Sequence, residues 1–328
     1  MRIGIYCPNW VGDAVMALPF FNLVRQKYPQ ATILAIGKSW VSAIFENHPA
    51  VDGILGFGER KMTGVRASFE TGKSLSALNL DKMFLLSNSF RSAFIAFISA
   101  VPTRIGFKTQ GRSIFLTHGQ NSSKLKLHRS DKYLLLLGLE NENVFKPGIV
   151  LDKHEIIWAK KELKSLGLVN PWGYCPFSVA SARSIPINKS REFMDKIGDP
   201  ILIFGSPDDR IQGEILQKYP VGKKVHSICG VYSLRESISL ISQCRAVLAT
   251  DSGLGHIAAS LGIPVISIFG AGDTSTTGPL GEKTFTLNAN VYCSPCKRNV
   301  CNNKKEPLLC FQALEGEKIV AELNNFLL

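Results

Sequence analysis

The hydrophobic positions of this chain alternate between two spacings. Short runs of small and β-branched residues, such as 3–7 and 246–250, are typical of buried parallel strands. Each run is followed by a turn and then by apolar residues three or four positions apart, as in residues 14–28, which predicts a helix packed on a sheet. Repeated strand–turn–helix units predict an α/β protein with open, mostly parallel sheets.

The alternation stops at a turn, residues 170–173, and then restarts. We therefore predict two Rossmann-like domains, at residues 1–170 and 171–312, that face each other across a cleft, followed by a terminal helix at 313–328. Residues 58–79 are rich in Gly, Ser, Lys and Arg without clear periodicity, which predicts a basic loop.

Length and composition agree with two domains. The chain has 328 residues, of which 45% are hydrophobic, and this is enough for two cores of ordinary size. No apolar run approaches the ~18 to 20 residues of a membrane span, and the N-terminal residues lack the features of a signal peptide. We therefore expect a cytosolic protein, in which the eight cysteines are reduced or bound to metal.

Positive charge is concentrated in the first half of the chain. The formal net charge is +12, and residues 60–132 alone hold 13 Lys and Arg against 3 Asp and Glu. The bland interpretation is a solvated basic surface. The sharper one is an anionic partner, which could be nucleic acid, acidic lipid head groups or a phosphorylated substrate.

Residues 246–270 carry the most informative chemistry, because a strand, a sharp turn and a short helix follow one another there. Asp251 and Ser252 are residues that cap a helix, and Gly253 lets a ligand approach the backbone. The start of a helix offers free N–H groups and a positive dipole to an anion, so we predict a pyrophosphate site. His256, one turn further on, is either a packed histidine or a donor to phosphate.

Loops after two other strands of the second domain carry matching groups. Arg183 can bind phosphate in a bidentate manner, and Asp209 can accept hydrogen bonds from ribose hydroxyls. In the first domain, Asp13 is either a helix cap or a general base, because it follows the first strand at the edge where open α/β sheets bind ligands. The segment 106–113 resembles a phosphate loop, but Arg112 stands where such a loop requires Lys.

Two further patterns leave alternatives open. Gly253, Gly255 and Asp273 have the spacing of a dinucleotide fingerprint, so an NAD-dependent oxidoreductase is a competing interpretation. Cys293, Cys296, Cys301 and Cys310 form a C-x2-C-x4-C-x8-C series, which suggests a structural zinc cluster or four half-buried thiols.

Several blocks of the sequence resemble one enzyme family, in order along nearly the whole chain. Residues 9–19, NWVGDAVMALP, are similar to the N-terminal motif of the bacterial lipopolysaccharide heptosyltransferases (glycosyltransferase family 9), and residues 250–259, TDSGLGHIAA, resemble their donor motif. Residues 88–93, 104–106 and the cysteine series resemble further blocks. The similarity is greatest to the ADP-heptose:LPS heptosyltransferase II branch. Departures are Arg183-Ser184-Ile185-Pro186, where the family usually has Lys-x-Trp-Pro, and Gly255, where Met is common.

The resemblance implies a GT-B fold, with the terminal helix returning to the first domain, and inverting transfer of heptose from ADP-heptose without a metal or cofactor. It assigns Asp13 as the base that activates the acceptor hydroxyl. The implied donor-binding residues are Ser181, Arg183, Asp209, Asp251, Ser252, Gly253 and His256. The acceptor-binding candidates are Asn9, Gly12, Arg60, Lys61, Arg91, Arg104 and Lys108.

The implied acceptor is the lipid A-Kdo or heptose inner core, met by the basic first domain at the cytoplasmic face of the inner membrane. No nucleic-acid partner is expected from the resemblance. A heptosyltransferase I-like enzyme and another sugar transferase of the family are alternatives within it. From another class, a non-catalytic protein that binds anionic lipid also remains open.

Overall fold

A computed structural model describes residues 1–58, 64–121, 126–139, 148–219, 222–319 and 321. The chain divides into two compact units, Met1–Val150 and Leu151–Leu328. Each unit contains one six-stranded sheet whose neighbouring strands all pair in parallel. The predicted α/β class with two open parallel sheets is therefore confirmed.

The first unit is a doubly wound α/β sheet. Its strands are β1 (Arg2–Tyr6), β2 (Thr32–Lys38), β3 (Gly53–Phe57), β4 (Lys82–Leu85), β5 (Thr103–Phe107) and β6 (His118–Gln120). Its helices are α1 (Val11–Met16), α2 (Leu18–Lys27), α3 (Val65–Ser76), α4 (Phe90–Ile98) and α5 (Arg129–Leu135). In the strand order β3-β2-β1-β4-β5-β6, the chain adds strands on one side of β1 and then on the other, so the order of addition reverses between β1 and β4. Ligands of such sheets bind at this reversal, outside the carboxyl ends of the strands.

The second unit repeats the plan. Its strands are β7 (Trp172–Cys175), β8 (Ile201–Ile203), β9 (Val225–Ser227), β10 (Ala246–Thr250), β11 (Val265–Phe269) and β12 (Thr284–Asn288). Its helices are α6 (Lys153–Ser165), α7 (Ile187–Lys196), α8 (Arg210–Gln217), α9 (Leu234–Ile241), α10 (Gly253–Ser260), α11 (Thr274–Thr277) and α12 (Leu309–Gln312). The order β12-β11-β10-β7-β8-β9 places the reversal between β7 and β10.

Burial explains why the central strands are continuous apolar runs. Every residue of β10 and of β11 is buried, because helices cover both faces of a parallel sheet. By contrast, β3 at the edge of the first sheet alternates between buried or half-buried and exposed positions.

Helix boundaries in the first unit differ from prediction in two places. The single helix expected at 14–28 is two helices, α1 and α2, because Pro19 stands in the first turn of α2 and cannot continue a preceding helix. The loop expected at 58–79 contains α3, so that prediction is wrong over Val65–Ser76. The buried face of α3 is Ser68, Thr71, Gly72 and Leu75, which gives almost no apolar periodicity to detect.

The boundary between the two units lies between Val150 and Leu151, before α6, whereas the sequence pattern predicts a boundary after residue 170. Glu155 of α6 accepts two hydrogen bonds from Arg235 of α9, at 2.5 and 2.9 Å, and Tyr232 donates to Glu162 at 2.6 Å. These contacts attach α6 to the second unit. Residues 316–319 are helical and Ile319 is buried in the core of the same unit, while residues 322–328 of the predicted terminal helix lie outside the described residues.

Candidate active site

Asp13 lies at the strand reversal of the first unit. It follows β1 in the first turn of α1, where a helix dipole favours a carboxylate. Its Oδ2 accepts a hydrogen bond from Nη1 of Arg129 at 3.2 Å, and the Asp13 side chain is 19% exposed. Trp10, not Asp13, occupies the capping position of α1. Asp13 is therefore an accessible carboxylate held by a cation.

Arg129 was not found from the sequence, because 116 residues separate it from Asp13. It begins α5, which packs against α1. Tyr133, one turn further along α5, is buried beside this pair. Burial and the negative charge of Asp13 raise the pKa of Tyr133 well above its usual value, although Arg129 opposes the shift, so the phenol stays protonated.

A cavity of about 480 Å³ opens next to the Asp13 turn. Two acceptor candidates, Asn9 and Arg91, line it, and Lys38 adds a second cation. Phe94 and Phe115 contribute an aromatic wall. The cavity therefore combines positive charge with flat apolar surface, which suits an anionic carbohydrate.

Three further acceptor candidates, Gly12, Arg104 and Lys108, do not line this cavity. Gly12 is inside α1. The guanidinium of Arg104 donates to the carbonyl of Val101 at 2.5 Å and to that of Phe115 at 2.7 Å, so it supports the end of the sheet. Lys108 is exposed on the loop after β5. Arg60 and Lys61 lie outside the described residues.

Arg112 donates a hydrogen bond at 3.2 Å to the carbonyl of Ser89, one of the residues that line the cavity. Its side chain is fully buried, and its guanidinium donates to the carbonyls of Phe107 at 2.8 Å and Ser87 at 2.5 Å, and to Asn88 Oδ1 at 3.2 Å. Burial lowers the pKa of Arg112 to about 10. This residue therefore joins the loops after β4 and β5. Its buried guanidinium is bonded to protein acceptors, so the segment 106–113 does not present Arg112 to a phosphate.

Arg183 and Asp251 meet at the strand reversal of the second unit. Arg183 ends a 3₁₀ turn, Ser181–Arg183, after β7, and Asp251 directly follows β10. Nη1 of Arg183 lies 3.4 Å from Oδ2 of Asp251, whose side chain is only 5% exposed. The Thr250 hydroxyl also donates to the Arg183 carbonyl. The acid in this turn therefore orients the arginine.

Two buried polar atoms at this point have no hydrogen-bond partner among the described residues: Nε of Arg183 and Oγ of Ser252. Ser252 precedes α10, which begins at Gly253, and its hydroxyl does not cap the helix. The first N–H groups of a helix also lack intrahelical partners. Guanidinium, hydroxyl and helix start are a set of donors that fits a phosphate group.

The other predicted donor residues have contacts of their own. Ser181, in the same turn as Arg183, donates to the carbonyl of Asn299 at 3.3 Å. Asp209 accepts from the amide and the hydroxyl of Ser206, at 2.7 and 2.6 Å, in a capping box before α8. His256 is buried on α10. Of the predicted donor residues in this paragraph, Ser181 is the one that shares a turn with Arg183, next to the turn after β10 that carries Asp251.

Gly255 and Asp273, the residues that suggested a dinucleotide site, have structural roles. A Cβ on Gly255 would lie 3.0 Å from Oγ of Ser267, so glycine permits close packing of α10 on the sheet. Asp273 caps α11 through Ser275, with Oδ1 2.7 Å from that hydroxyl, and its Oδ2 lies 3.1 Å from Nζ of Lys297. Both carboxylate oxygens of Asp273, the residue that would bind ribose in a dinucleotide site, therefore already have protein partners.

The cysteine series does not form a metal centre among the described residues, where no group of three or more His, Cys, Asp or Glu is arranged to hold an ion. Cys310 is buried, whereas Cys296 is exposed to solvent. Burial, followed by the neighbouring thiols, raises the pKa of Cys310 to about 11. The described part of the chain gives the predicted zinc cluster no support.

No described helix has the length and apolarity to cross a bilayer.

Known proteins with similar sequences and folds agree on one family. The model of glycosyltransferase family 9 (heptosyltransferase) matches residues 68–306. Lipooligosaccharide heptosyltransferase 2 of Haemophilus influenzae is 29% identical over 311 residues, which cover 88% of both chains. Two solved structures have the same fold. The structure of ADP-heptose LPS heptosyltransferase II from E. coli matches with a TM-score of 0.80 and 22% sequence identity, over 100% of this chain and 98% of that one. The structure of a family 9 glycosyltransferase from Veillonella parvula matches with a TM-score of 0.84 and 18% sequence identity, over 99% of this chain and 97% of that one.

The two solved structures confirm the GT-B fold class, and the sequence matches do not favour the oxidoreductase. The family model extends over well more than half of the chain, from α3 through the second sheet. The protein belongs to glycosyltransferase family 9, the heptosyltransferase family, and is a glycosyltransferase.

Proposed function

We propose that this enzyme transfers heptose from ADP-heptose to the inner core of lipopolysaccharide, in the manner of heptosyltransferase II. Relatives named heptosyltransferase 2 support this choice over the full length, including the lipopolysaccharide enzyme of E. coli at 24% identity over 100% of this chain. The observation that carries the proposal is the unpartnered pair of donors, Arg183 Nε and Ser252 Oγ, at the start of α10.

The second unit holds the donor. The pyrophosphate of ADP-heptose accepts hydrogen bonds from Arg183, from Ser252 and from the first N–H groups of α10 at Gly253. His256 and Ser181 flank this contact. Asp209 takes the ribose hydroxyls through the oxygen that does not serve its capping box. Donors fixed before the reaction stabilise the negative charge that grows on the departing ADP.

Asp13 of the first unit is the base. Its carboxylate removes the proton of the acceptor hydroxyl, and the resulting oxygen attacks the anomeric carbon of heptose. The bond from that carbon to the phosphate oxygen breaks, ADP leaves with the electron pair, and the configuration inverts. No step requires a metal or a redox cofactor. Arg129 keeps the Asp13 carboxylate oriented.

The cavity beside the Asp13 turn receives the acceptor. Arg91 and Lys38 bind its anionic groups, and the aromatic wall contacts a sugar face. An acceptor built on lipid A is anchored in a bilayer, so the enzyme works as a peripheral protein at the cytoplasmic face of the inner membrane. Two other basic candidates, Arg104 and Lys108, lie on the same unit.

A transfer assay with ADP-heptose and two acceptors tests the proposal. One acceptor is lipid A-Kdo without heptose, and the other carries one heptose. We expect transfer only to the second. Transfer to the first alone would favour a heptosyltransferase I-like enzyme. Absence of transfer to both, together with calorimetric binding of NAD instead of ADP, would overturn the glycosyl donor assignment.

A further inference from the structure

One surface of the first unit exposes large apolar side chains on neighbouring elements. They lie on α3, on α4 and in the 3₁₀ turn Arg112–Phe115. The exposed fractions are 78% for Val65, 41% for Phe69, 46% for Phe90, 46% for Phe97 and 77% for Ile114. We refer to these five residues as the apolar face. Contiguous apolar patches of this kind mark contact sites for other molecules.

Packing brings together the elements that carry the apolar face. The ring of Phe115 lies 5.2 Å from that of Phe90 and 5.3 Å from that of Phe97, which joins α4 to the 3₁₀ turn. On the other side, α3 approaches α4 so closely that a Cβ on Gly72 would lie 2.6 Å from Cβ of Ile98. Val65, at the start of α3, lines the same cavity as Phe90.

Exposed cations surround the apolar side chains. Arg66, Lys73, Arg91 and Lys108 are exposed on the same elements or the adjoining loop. Nζ of Lys73 lies 5.1 Å from the centroid of the Phe69 ring, so charge and apolar surface are side by side. Residues 60–132 contain 13 Lys and Arg against 3 Asp and Glu, which favours a negatively charged partner.

An anionic bilayer meets both requirements. Apolar side chains on an amphipathic surface insert at the boundary between head groups and acyl chains, while nearby Lys and Arg attract acidic phospholipids. A second copy of this chain fits less well, because two faces with the same excess of positive charge repel each other.

We propose that the apolar face docks this enzyme on the surface of an anionic phospholipid bilayer. The inference deepens the proposed function and rests on it for its biological purpose, since a lipid-anchored acceptor lies in such a bilayer. The vesicle binding itself does not depend on catalysis. The two ideas can therefore fail separately.

The test is cosedimentation of the full chain with vesicles of phosphatidylglycerol and phosphatidylcholine, and with vesicles of phosphatidylcholine alone. The variant Phe69→Ser/Ile114→Ser removes two apolar side chains that do not line the cavity. The matched control is Ile211→Ser/Ile215→Ser on α8, where the exposed fractions are 73% and 42%. Melting temperature and ADP binding establish that each variant is folded.

We expect wild type and control to bind the anionic vesicles alike, and the Phe69/Ile114 variant to bind about tenfold more weakly or worse. High salt should weaken wild-type binding because it screens the cations. Unchanged binding by the Phe69/Ile114 variant, equal binding of wild type to neutral vesicles, or no binding of wild type would each overturn the proposal. So would a wild-type dimer that this variant dissociates, since the face would then be a self-association surface.

A deacylated acceptor separates this proposal from the proposed function. Wild type and the Phe69/Ile114 variant should transfer heptose to it at the same rate, because neither residue lines the acceptor cavity. If neither protein transfers heptose while the vesicle results hold, the bilayer proposal survives and the proposed function fails. A loss of transfer in the variant alone would show that the two residues act in catalysis, which contradicts the docking role.

Discussion

Replacement of Asp13 by Asn removes the proposed base while it leaves the volume and the polar contacts of the side chain nearly unchanged. The amide cannot accept the proton of the acceptor hydroxyl. It can still accept the hydrogen bond from Nη1 of Arg129, which spans 3.2 Å in the native pair. The substitution therefore separates proton transfer from positioning.

The two energies involved differ enough to be distinguished. A positioned base contributes about 10²- to 10⁴-fold, which corresponds to about 2.7 to 5.4 kcal/mol of transition-state stabilisation. The ion pair itself contributes only about 0 to 1 kcal/mol to folding, since the Arg129 side chain is 43% exposed. A large loss of kcat in Asp13→Asn would thus come from chemistry and not from unfolding.

The measurement is a steady-state assay with saturating ADP-heptose, with thermal unfolding and ADP calorimetry alongside it. We expect kcat to fall by at least about 100-fold and the melting temperature to move by only a few degrees. The Kd for ADP should stay the same, because the residues proposed to bind ADP are in the second unit. Turnover within a few-fold of wild type would refute Asp13 as the base. A large loss of ADP affinity would refute the division of roles between the units.

Three other substitutions test neighbouring parts of the structure. Arg183→Gln should weaken ADP binding by about 10- to 100-fold, since a charged hydrogen bond is worth about 1.5 to 3 kcal/mol, and unchanged calorimetric affinity would contradict the donor site. Arg112→Met should lower the free energy of unfolding by about 3 to 5 kcal/mol, because buried acceptors lose their donor, while ADP binding persists; a stability close to wild type would count against that role. Burial raises the pKa of Asp52, but the hydrogen bonds from the Ile33 amide and from Arg25 outweigh burial, so the pKa is lowered overall. The ionised Asp52 carboxylate therefore stabilises the fold above about pH 4, and this stabilisation is lost as the pH falls further. Urea titrations should then show a weaker acid dependence in Asp52→Asn, and identical profiles would argue against the shift.

The ends of the strands that precede Asp13 and Asp251 could be located from sequence because their signals are local. A run of buried β residues followed by a polar turn identifies the carboxyl end of a parallel strand. Asp251 lies directly after such a run, and Asp13 follows β1 across the turn at residues 7–10. The strand orders make these ends the ligand-binding edges of their sheets. Position along the chain was therefore enough to select these residues.

Long-range partners and polar helix faces could not be predicted in that way. Arg129 reaches Asp13 only through the packing of α5 on α1. The sequence predicts a loop in place of α3 because this helix buries small and polar side chains, among them Gly72, which packs against Ile98 of α4. Asp209 illustrates a third limit, since the residue types that bind ribose also cap helices.

The placement of an acid at the proposed anion site of the second unit has a physical explanation. A carboxylate next to a pyrophosphate would repel it, unless a cation takes up that charge first. Asp251 is almost completely buried and its Oδ2 faces Nη1 of Arg183, whose side chain keeps 32% exposure. One edge of the guanidinium is thereby fixed, and Nε remains without a partner among the described residues. Because the arginine is oriented before the ligand arrives, its interaction with the phosphate costs little reorganisation, which is the property that stabilisation of a leaving group requires.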